Sequence, residues 1–281
     1  DTVATLGNQT KMPYALRADM TKAEFFTEVP AGILPPPKYF PLNVKMNKEG
    51  YADLDEVIAQ GTRSLSPEAF EVAANETGAV VLDVRHQSDF AKGHIPRSIF
   101  IGLDGGFAPW AGTLIADVKQ PILLIAPEGR EEEAITRLSR VGFDNTLGYL
   151  KGGFEAWRAA NKEYDSVTSV QATDLKKALN EENIPVFDVR KESEYIFEHI
   201  PTAQSTPLSF LNSHLAEFPA EKTFFVHCAG GYRSMIAVSV LKSRGIHNLV
   251  DVAGGFNSIK EVGIEVTDYK RASSRQTKNS N

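Results

Sequence analysis

The chain has 281 residues, which is more than one ordinary domain of about 100 to 200 residues accounts for. Hydrophobic residues make up 42% of the sequence and charged residues 23%, and no run approaches the roughly 18 consecutive apolar residues of a membrane span. A formal net charge of -6 excludes a broad basic field, so we expect neither nucleic acid nor an anionic membrane as a main partner.

The first 55 residues do not resemble the rest of the chain, and we expect residues 1–55 to form an N-terminal arm. Thr21 to Val29 has the spacing of a short amphipathic helix. The proline-rich run from Leu34 to Pro41 predicts a stiff, extended segment.

The rest of the chain contains the same unit twice. Two landmarks recur about 105 positions later: Val81–Arg85 returns as Val186–Arg190, and His94–Pro96 as His199–Pro201. A third landmark, Gly152–Phe154, recurs about 102 positions later as Gly254–Phe256. Three landmarks in the same order indicate tandem domains over residues 56–163 and 164–270, and the polar residues 271–281 predict a disordered tail.

Strand and helix patterns alternate within each unit. The first unit has these predicted elements: a helix opened by Ser66-Pro67, strands at Ala79–Val84 and Ile122–Ala126, and a helix at Glu131–Val141. The second has a helix from Gln171, strands at Pro185–Arg190, Thr223–His227 and Asn248–Val252, and a helix at Ser234–Arg244. This alternation predicts an α/β fold in two copies, each a mainly parallel sheet flanked by helices.

Cys228, the only cysteine, follows a predicted buried strand and precedes a predicted helix. In open α/β sheets ligands bind at the carboxyl ends of strands, and backbone N–H groups at a helix start form a cradle for an anion. Two glycines let this loop curl at no steric cost, and Arg233 adds positive charge. We therefore predict that Cys228 is a nucleophilic thiolate, against the alternative of an inert buried cysteine.

The length of the loop distinguishes two chemistries. Cysteine phosphatases place their arginine six residues after the cysteine, whereas Arg233 follows Cys228 by five. The smaller cradle favours a sulfur atom over a phosphoryl group, so phosphatase or arsenate reductase activity is the weaker alternative. Arg233 could also be a solvated residue at a helix start, and His227 is more simply explained as structural than as catalytic.

The segment Cys228-Ala-Gly-Gly-Tyr-Arg-Ser234 resembles the active loop of the rhodanese family, and the three repeated landmarks match that family as well. The resemblance implies a sulfurtransferase in which Cys228 takes sulfur from thiosulfate or a small persulfide, holds it as a persulfide and passes it to a thiol. It also implies that the loop residues bind the transferred sulfur: Ala229, Gly230, Gly231, Tyr232, Arg233 and Ser234. Asp188 and Arg190 are expected to form an ion pair that braces the loop.

The first copy has no nucleophile at the corresponding position. Ala126-Pro127 stands where His227-Cys228 stands in the second copy, and the following loop is shorter and carries four glutamates. Those carboxylates would repel an anionic donor, although glutamate is also an ordinary residue at a helix N-terminus. We expect this copy to be catalytically inactive and to pack against its neighbour or position a partner.

The N-terminal arm resembles the end of the metallo-β-lactamase-fold domain in fusion proteins of persulfide dioxygenase and rhodanese. The cluster of histidines and aspartate that binds iron in that domain is absent from the sequence, so we expect no metal and no cofactor. The resemblance implies a persulfide dioxygenase domain or subunit as a partner, and the alternative function is a sulfur-relay or docking module serving it. One cysteine and no signal-peptide pattern favour a cytoplasmic location.

Overall fold

The computed structural model describes residues 20–30, 36, 39–181 and 184–267, so the predicted tail over 271–281 lies outside the described residues. The chain divides into one unit of residues 1–37 and another of residues 38–281. In the first unit, helix α1 (Lys22–Glu28) begins after Thr21. The Thr21 hydroxyl accepts from the Glu24 N–H at 3.3 Å, and the Glu24 carboxylate accepts from the Thr21 N–H at 2.7 Å. This reciprocal cap confirms the predicted helix.

The second unit opens with helix α2 (Phe40–Glu49), where the sequence pattern predicted an extended segment. That prediction is wrong for Phe40 and Pro41, because a proline in the first turn of a helix has a suitable φ and lacks only an N–H that needs no partner there. The earlier part of the proline run lies mostly outside the described residues.

The first repeat forms a five-stranded parallel sheet in the order β1-β5-β4-β2-β3. Its strands are β1 (Ser64–Leu65), β2 (Val80–Asp83), β3 (Ile99–Phe100), β4 (Ile122–Ile125) and β5 (Thr146–Leu150). Its helices are α3 (Leu54–Gly61), α4 (Pro67–Thr77), α5 (Gln87–Lys92), α6 (Phe107–Leu114), α7 (Glu131–Ser139) and α8 (Gly153–Ala159). Ser66 caps α4 by accepting from the Ala69 N–H at 3.3 Å, as predicted.

The second repeat has the same topology, in the order β6-β10-β9-β7-β8 with every pair parallel. Its strands are β6 (Ser169–Val170), β7 (Val186–Asp188), β8 (Ala203–Ser205), β9 (Phe224–His227) and β10 (Leu249–Val252). Its α-helices are α9 (Ala172–Glu181), α10 (Glu192–Phe197), α11 (Tyr232–Ser243) and α12 (Gly255–Glu261), and two 3₁₀ helices cover Leu208–Ser213 and Leu215–Glu217. The fold class predicted from the repeats is confirmed.

A hydrophobic core crosses from one repeat to the other. Buried residues of the first repeat, such as Phe100 and Leu103, belong to the same cluster as Ile236 and Val240 of α11. The buried Ser239 hydroxyl accepts a hydrogen bond from the Phe100 N–H at 3.0 Å. A side chain of α11 thus provides a partner for a backbone N–H of β3, an edge strand of the first sheet. The helix that follows Cys228 is therefore also the helix that joins the two repeats.

Candidate active site

Cys228 lies where a buried strand meets a helix. All four residues of β9 are buried, and Cys228 follows its last residue directly. Helix α11 begins at Tyr232, so Ala229, Gly230 and Gly231 connect the cysteine to the helix. Gly231 has a φ of 98°, a left-handed conformation that glycine adopts without steric cost. Its N–H donates a hydrogen bond to Cys228 Sγ at 3.2 Å. The sulfur thus has a backbone donor at the start of a helix, where the dipole favours an anion.

The sulfur is more enclosed than an open nucleophile would be. Cys228 is 1% exposed, whereas Ala229 is half-buried and Gly230 is exposed.

The N-terminus of α12 holds the outer side of the loop. The Phe256 N–H donates to the Cys228 carbonyl oxygen at 2.7 Å, and the Asn257 N–H donates to the Ala229 carbonyl oxygen at 3.1 Å. Gly255 has a φ of 57°, and a Cβ added there would lie 2.4 Å from the Cys228 carbonyl oxygen. The second glycine of the repeated Gly-Gly-Phe landmark has a positive φ in both repeats, 60° at Gly153 and 57° at Gly255. The close approach to the loop is a further reason for glycine at Gly255 alone.

Arg233 is bound by a carboxylate on the neighbouring helix α10. Its Nη1 and Nη2 atoms donate to Glu194 Oε2 at 2.6 Å and to Glu194 Oε1 at 2.9 Å. The Arg233 side chain is 18% exposed, so it is not a solvated surface arginine. Hydrogen bonding to Glu194 is the first cause that raises the pKa of Arg233, and the same contact lowers the pKa of Glu194.

Asp188 and Arg190 form an ion pair behind the loop. Arg190 Nε lies 2.9 Å from both carboxylate oxygens of Asp188, and Nη2 also donates to the Glu198 carbonyl oxygen at 2.7 Å. The guanidinium lies 3.7 Å from the centre of the Phe256 ring, whose own backbone N–H binds the Cys228 carbonyl. The pair thus contacts the loop through Phe256, while its bracing role stays a prediction.

His227 and Ser234 are buried on either side of the loop. His227 Nδ1 lies 3.3 Å from the Cys228 carbonyl oxygen, and His227 Nε2 has no hydrogen-bond partner among the described residues. Burial lowers the pKa of His227, which keeps the imidazole neutral at pH 7. The Ser234 hydroxyl donates to the Gly231 carbonyl oxygen at 3.2 Å. These contacts orient the loop backbone and do not point either side chain at the sulfur.

Tyr232 links the loop to the first repeat. Its hydroxyl donates to the Gly102 carbonyl oxygen at 2.7 Å, and its ring lies edge-on to Phe100 at 5.9 Å between centroids. Gly105 packs so closely on the ring that an added Cβ would lie 2.2 Å from it. No local spacing indicates this contact, since Tyr232 and Gly102 lie 130 positions apart in different repeats.

A cleft of about 440 Å³ lies between α10 and α12. It is lined by Arg190, Ser193, Glu194, Phe197, Glu198, Phe256, Asn257 and Lys260. Lys260 Nζ lies 2.6 Å from Glu198 Oε2, so the basic group on this rim is also paired. Two of its lining residues, Phe256 and Asn257, hold the loop through their backbone N–H groups.

The first repeat keeps the frame of this site without the thiol. Asp83 and Arg85 form the same pair, with Nη2 and Oδ2 2.6 Å apart, and Arg85 also donates to the Gly93 carbonyl oxygen at 2.8 Å. A cleft of about 690 Å³ lies beside Ala126 and is lined in part by Glu128 and Glu131.

Not all of the four glutamates in this first-repeat loop remain free to repel an anion. Glu133 binds Arg130 at 2.8 Å and Arg137 at 3.1 Å, so its charge is balanced.

Across the described ranges, no group of three or more histidine, cysteine, aspartate or glutamate side chains is placed to hold a metal ion. Among those same residues, no helix is both long and apolar enough to cross a membrane.

The chain has two parallel α/β domains in tandem, and a cysteine loop lies at the carboxyl edge of the second sheet. Comparison with known protein families identifies the class that has this architecture. The rhodanese-like domain family matches residues 66–160 and again residues 171–262. This chain belongs to the rhodanese-like family.

Three similar proteins illustrate the range of the family. An uncharacterized protein of Synechocystis, slr1261, is 30% identical over 113 residues, which cover 40% of this chain and 63% of that protein. The thiosulfate sulfurtransferase GlpE of Pseudomonas savastanoi pv. phaseolicola is 33% identical over 88 residues, which cover 31% of this chain and 79% of GlpE. A solved rhodanese-related protein of Thermoplasma volcanium has 36% identity and a TM-score of 0.33, covering 36% of this chain and 97% of that one.

Proposed function

We propose that this chain is a sulfurtransferase that moves sulfane sulfur from thiosulfate or a persulfide donor to a thiol acceptor through a persulfide on Cys228. The main support is the hydrogen bond from the Gly231 N–H to Cys228 Sγ at 3.2 Å, at the start of α11. That position favours a thiolate and, after transfer, a persulfide anion. Membership of the rhodanese-like family and similarity to GlpE, which is named a thiosulfate sulfurtransferase, support the same class of reaction.

Each step exchanges one sulfur–sulfur bond for another. The Cys228 thiolate attacks the outer sulfur of thiosulfate, the new Cys–S–S bond forms, and sulfite leaves with the electron pair of the broken bond. With an organic persulfide the leaving group is the thiolate. An acceptor thiolate then attacks the outer sulfur of the Cys228 persulfide, and the Cys228 thiolate leaves. The two exchanges restore the enzyme and require no cofactor or metal.

The acceptor has to come from outside this chain, because Cys228 is its only cysteine. In this proposal the loop of Ala229 to Ser234 holds the transferred sulfur, and Asp188 and Arg190 support the loop from behind. The first repeat takes no chemical part, since Ala126-Pro127 replaces the nucleophile.

Intact-mass measurement tests the proposal directly. The protein incubated with thiosulfate should gain the mass of one sulfur atom and lose it on addition of a thiol. Cys228→Ser keeps a similar volume but removes the sulfur nucleophile, so it should show no gain. A mass gain in Cys228→Ser, or none in the native protein with either thiosulfate or glutathione persulfide, would refute the proposed activity.

A second candidate is a sulfur-relay or docking module that serves a persulfide dioxygenase partner. The enclosure of Cys228, 1% exposed, supports it, because a buried sulfur suits loading by a partner that opens the loop. Steady-state rates with thiosulfate and cyanide, compared with rates from glutathione persulfide, separate the two candidates. Turnover of free thiosulfate at rates typical of enzymes, about 1 s⁻¹ or above, would exclude the relay as the main function.

A further inference from the structure

The basic side chains that line the cleft beside the candidate active site, and the arginine of its loop, are paired with carboxylates. Three basic side chains line the cleft or begin the helix after the loop, namely Arg190, Arg233 and Lys260. Their partners are Asp188, Glu194 and Glu198 respectively, at distances of 2.5 to 2.6 Å. The cleft that we take as the entrance to Cys228 thus has basic groups but little surplus positive charge.

Glu194 is the carboxylate with the most direct effect on the loop. It binds both terminal nitrogens of Arg233, and its side chain is 33% exposed at the wall of the cleft. Arg233 follows Gly231, whose N–H binds the sulfur, by two residues in the first turn of α11. Glu194 occupies the face of its guanidinium that an oxyanion would bind.

We propose that Glu194 is a specificity-determining residue, which neutralises Arg233 and thereby disfavours doubly charged sulfur donors relative to singly charged ones. This inference rests on the proposed sulfurtransferase function. A thiosulfate dianion needs more positive charge at the entrance than a donor with one negative charge does, because Coulomb energy scales with the product of the charges. With Glu194 in place, the arginine that could supply that charge is already bound.

Two donors that differ by one charge provide the test. Thiosulfate and the methanethiosulfonate anion both present an outer sulfur on a tetrahedral sulfur centre, but a methyl group replaces one charged oxygen in the second. Cys228 attack on methanethiosulfonate releases methanesulfinate with the electron pair of the broken sulfur–sulfur bond, so the chemistry is matched. The measured quantity is the ratio of kcat/KM for thiosulfate to kcat/KM for methanethiosulfonate.

The variant Glu194→Gln removes the charge and keeps an oxygen that can accept from the Lys191 N–H, as Glu194 does at 3.2 Å. We expect the ratio to rise about tenfold, and the gain to shrink as ionic strength increases. Glu194→Asp retains the carboxylate and should keep the ratio of the native protein. Glu192→Gln is the matched control, since Glu192 is exposed on the same helix and binds Ser205 at 2.8 Å rather than an arginine.

The outcomes separate this inference from the function on which it rests. A fall in kcat/KM for both donors by the same factor in Glu194→Gln would show that Glu194 only supports the fold, and would overturn the inference. An equal rise in Glu192→Gln would attribute the effect to the general field and overturn it as well. If the native protein takes sulfur from neither donor, the proposed function itself fails.

Discussion

Gly255 connects the fold to the candidate active site through a backbone contact that a single methyl group would break. A Cβ at this position would lie 2.4 Å from the Cys228 carbonyl oxygen and 2.8 Å from the Ala229 carbonyl carbon. Both neighbours are backbone atoms, so neither can rotate away as a side chain would. Gly255→Ala must therefore displace either the Cys228 loop or the start of α12.

The expected cost has three parts. Alanine at a φ of 57° costs about 1 kcal/mol or more because its Cβ crowds the backbone in the left-handed region. Displacing the loop weakens the 2.7 Å hydrogen bond from the Phe256 N–H to the Cys228 carbonyl, which contributes about 1 kcal/mol. Relieving the clash adds a strain of similar size, so the free energy of unfolding should fall by about 3 kcal/mol.

Gly78 offers a matched control for this substitution. It has a φ of 64°, and a Cβ added there would meet nothing within 4 Å, so Gly78→Ala carries the backbone strain alone. Urea denaturation should show a loss of about 1 kcal/mol for Gly78→Ala and a clearly larger loss for Gly255→Ala. Alkylation of Cys228 by iodoacetamide should be faster only in Gly255→Ala, because the displaced loop exposes the sulfur. Equal losses of stability in the two variants would refute the reasoning.

Three further predictions concern single side chains. Tyr232→Phe removes the hydroxyl that donates to Gly102, and urea denaturation should show a loss of about 1 kcal/mol; an unchanged value would contradict the contact between repeats. Burial raises the pKa of Asp251 to about 6 from 3.8, so its contribution to stability is present below pH 3.8 and is lost as the pH rises through about 6. The free energy of unfolding of Asp251→Asn, relative to that of the native protein, should therefore rise by about 3 kcal/mol between low and neutral pH. If the two proteins show parallel plots of unfolding free energy against pH, this prediction is wrong. Burial lowers the pKa of His94 to about 4 from 6.5, so the stability that needs its neutral ring is present above pH 6.5 and lost as the pH falls through about 4. His94→Gln should flatten the acid side of a plot of Tm against pH, and an unchanged slope would count against that role.

The α/β architecture of both domains could be predicted from the sequence, because it depends on local residue patterns and on landmarks that recur in both repeats. The buried strands β4 and β9 read as continuous apolar runs, and both lie within one residue of their predicted bounds. The helix cap at Ser66 could be predicted because a serine followed by proline is typical of a helix start. The recurrence of the landmarks in the same order indicated that both sheets would share one topology, as they do. The strands β1, β3, β6 and β8, of two or three residues each, were missed because so short a run has no measurable period. The five-residue strand β5 was missed as well.

The contacts that surround Cys228 could not be predicted in the same way. Glu194 lies 39 positions before Arg233, and Gly102 lies 130 positions before Tyr232, so no local spacing relates them. Nor did the pattern show how far the sulfur is enclosed, since exposure depends on how α10 and α12 pack over the loop. The helix α2 was missed because four prolines in eight residues outweighed the one favourable position of Pro41.

The first repeat contains the counterpart of the ion pair that lies behind the loop in the second repeat, but it lacks the cysteine. Arg85 binds Asp83 and the Gly93 carbonyl and lies 4.5 Å from the Phe154 ring, as Arg190 binds its own aspartate, carbonyl and ring. This arrangement persists where Ala126-Pro127 replaces the nucleophile, so it does not require a thiol nearby. Because the same pair joins the end of a strand to the Gly-Gly-Phe helix in both repeats, we expect its role beside Cys228 to be that of holding this helix in place. In the proposed function the chemistry then depends on what the loop itself presents, which is a cysteine in the second repeat and a proline in the first.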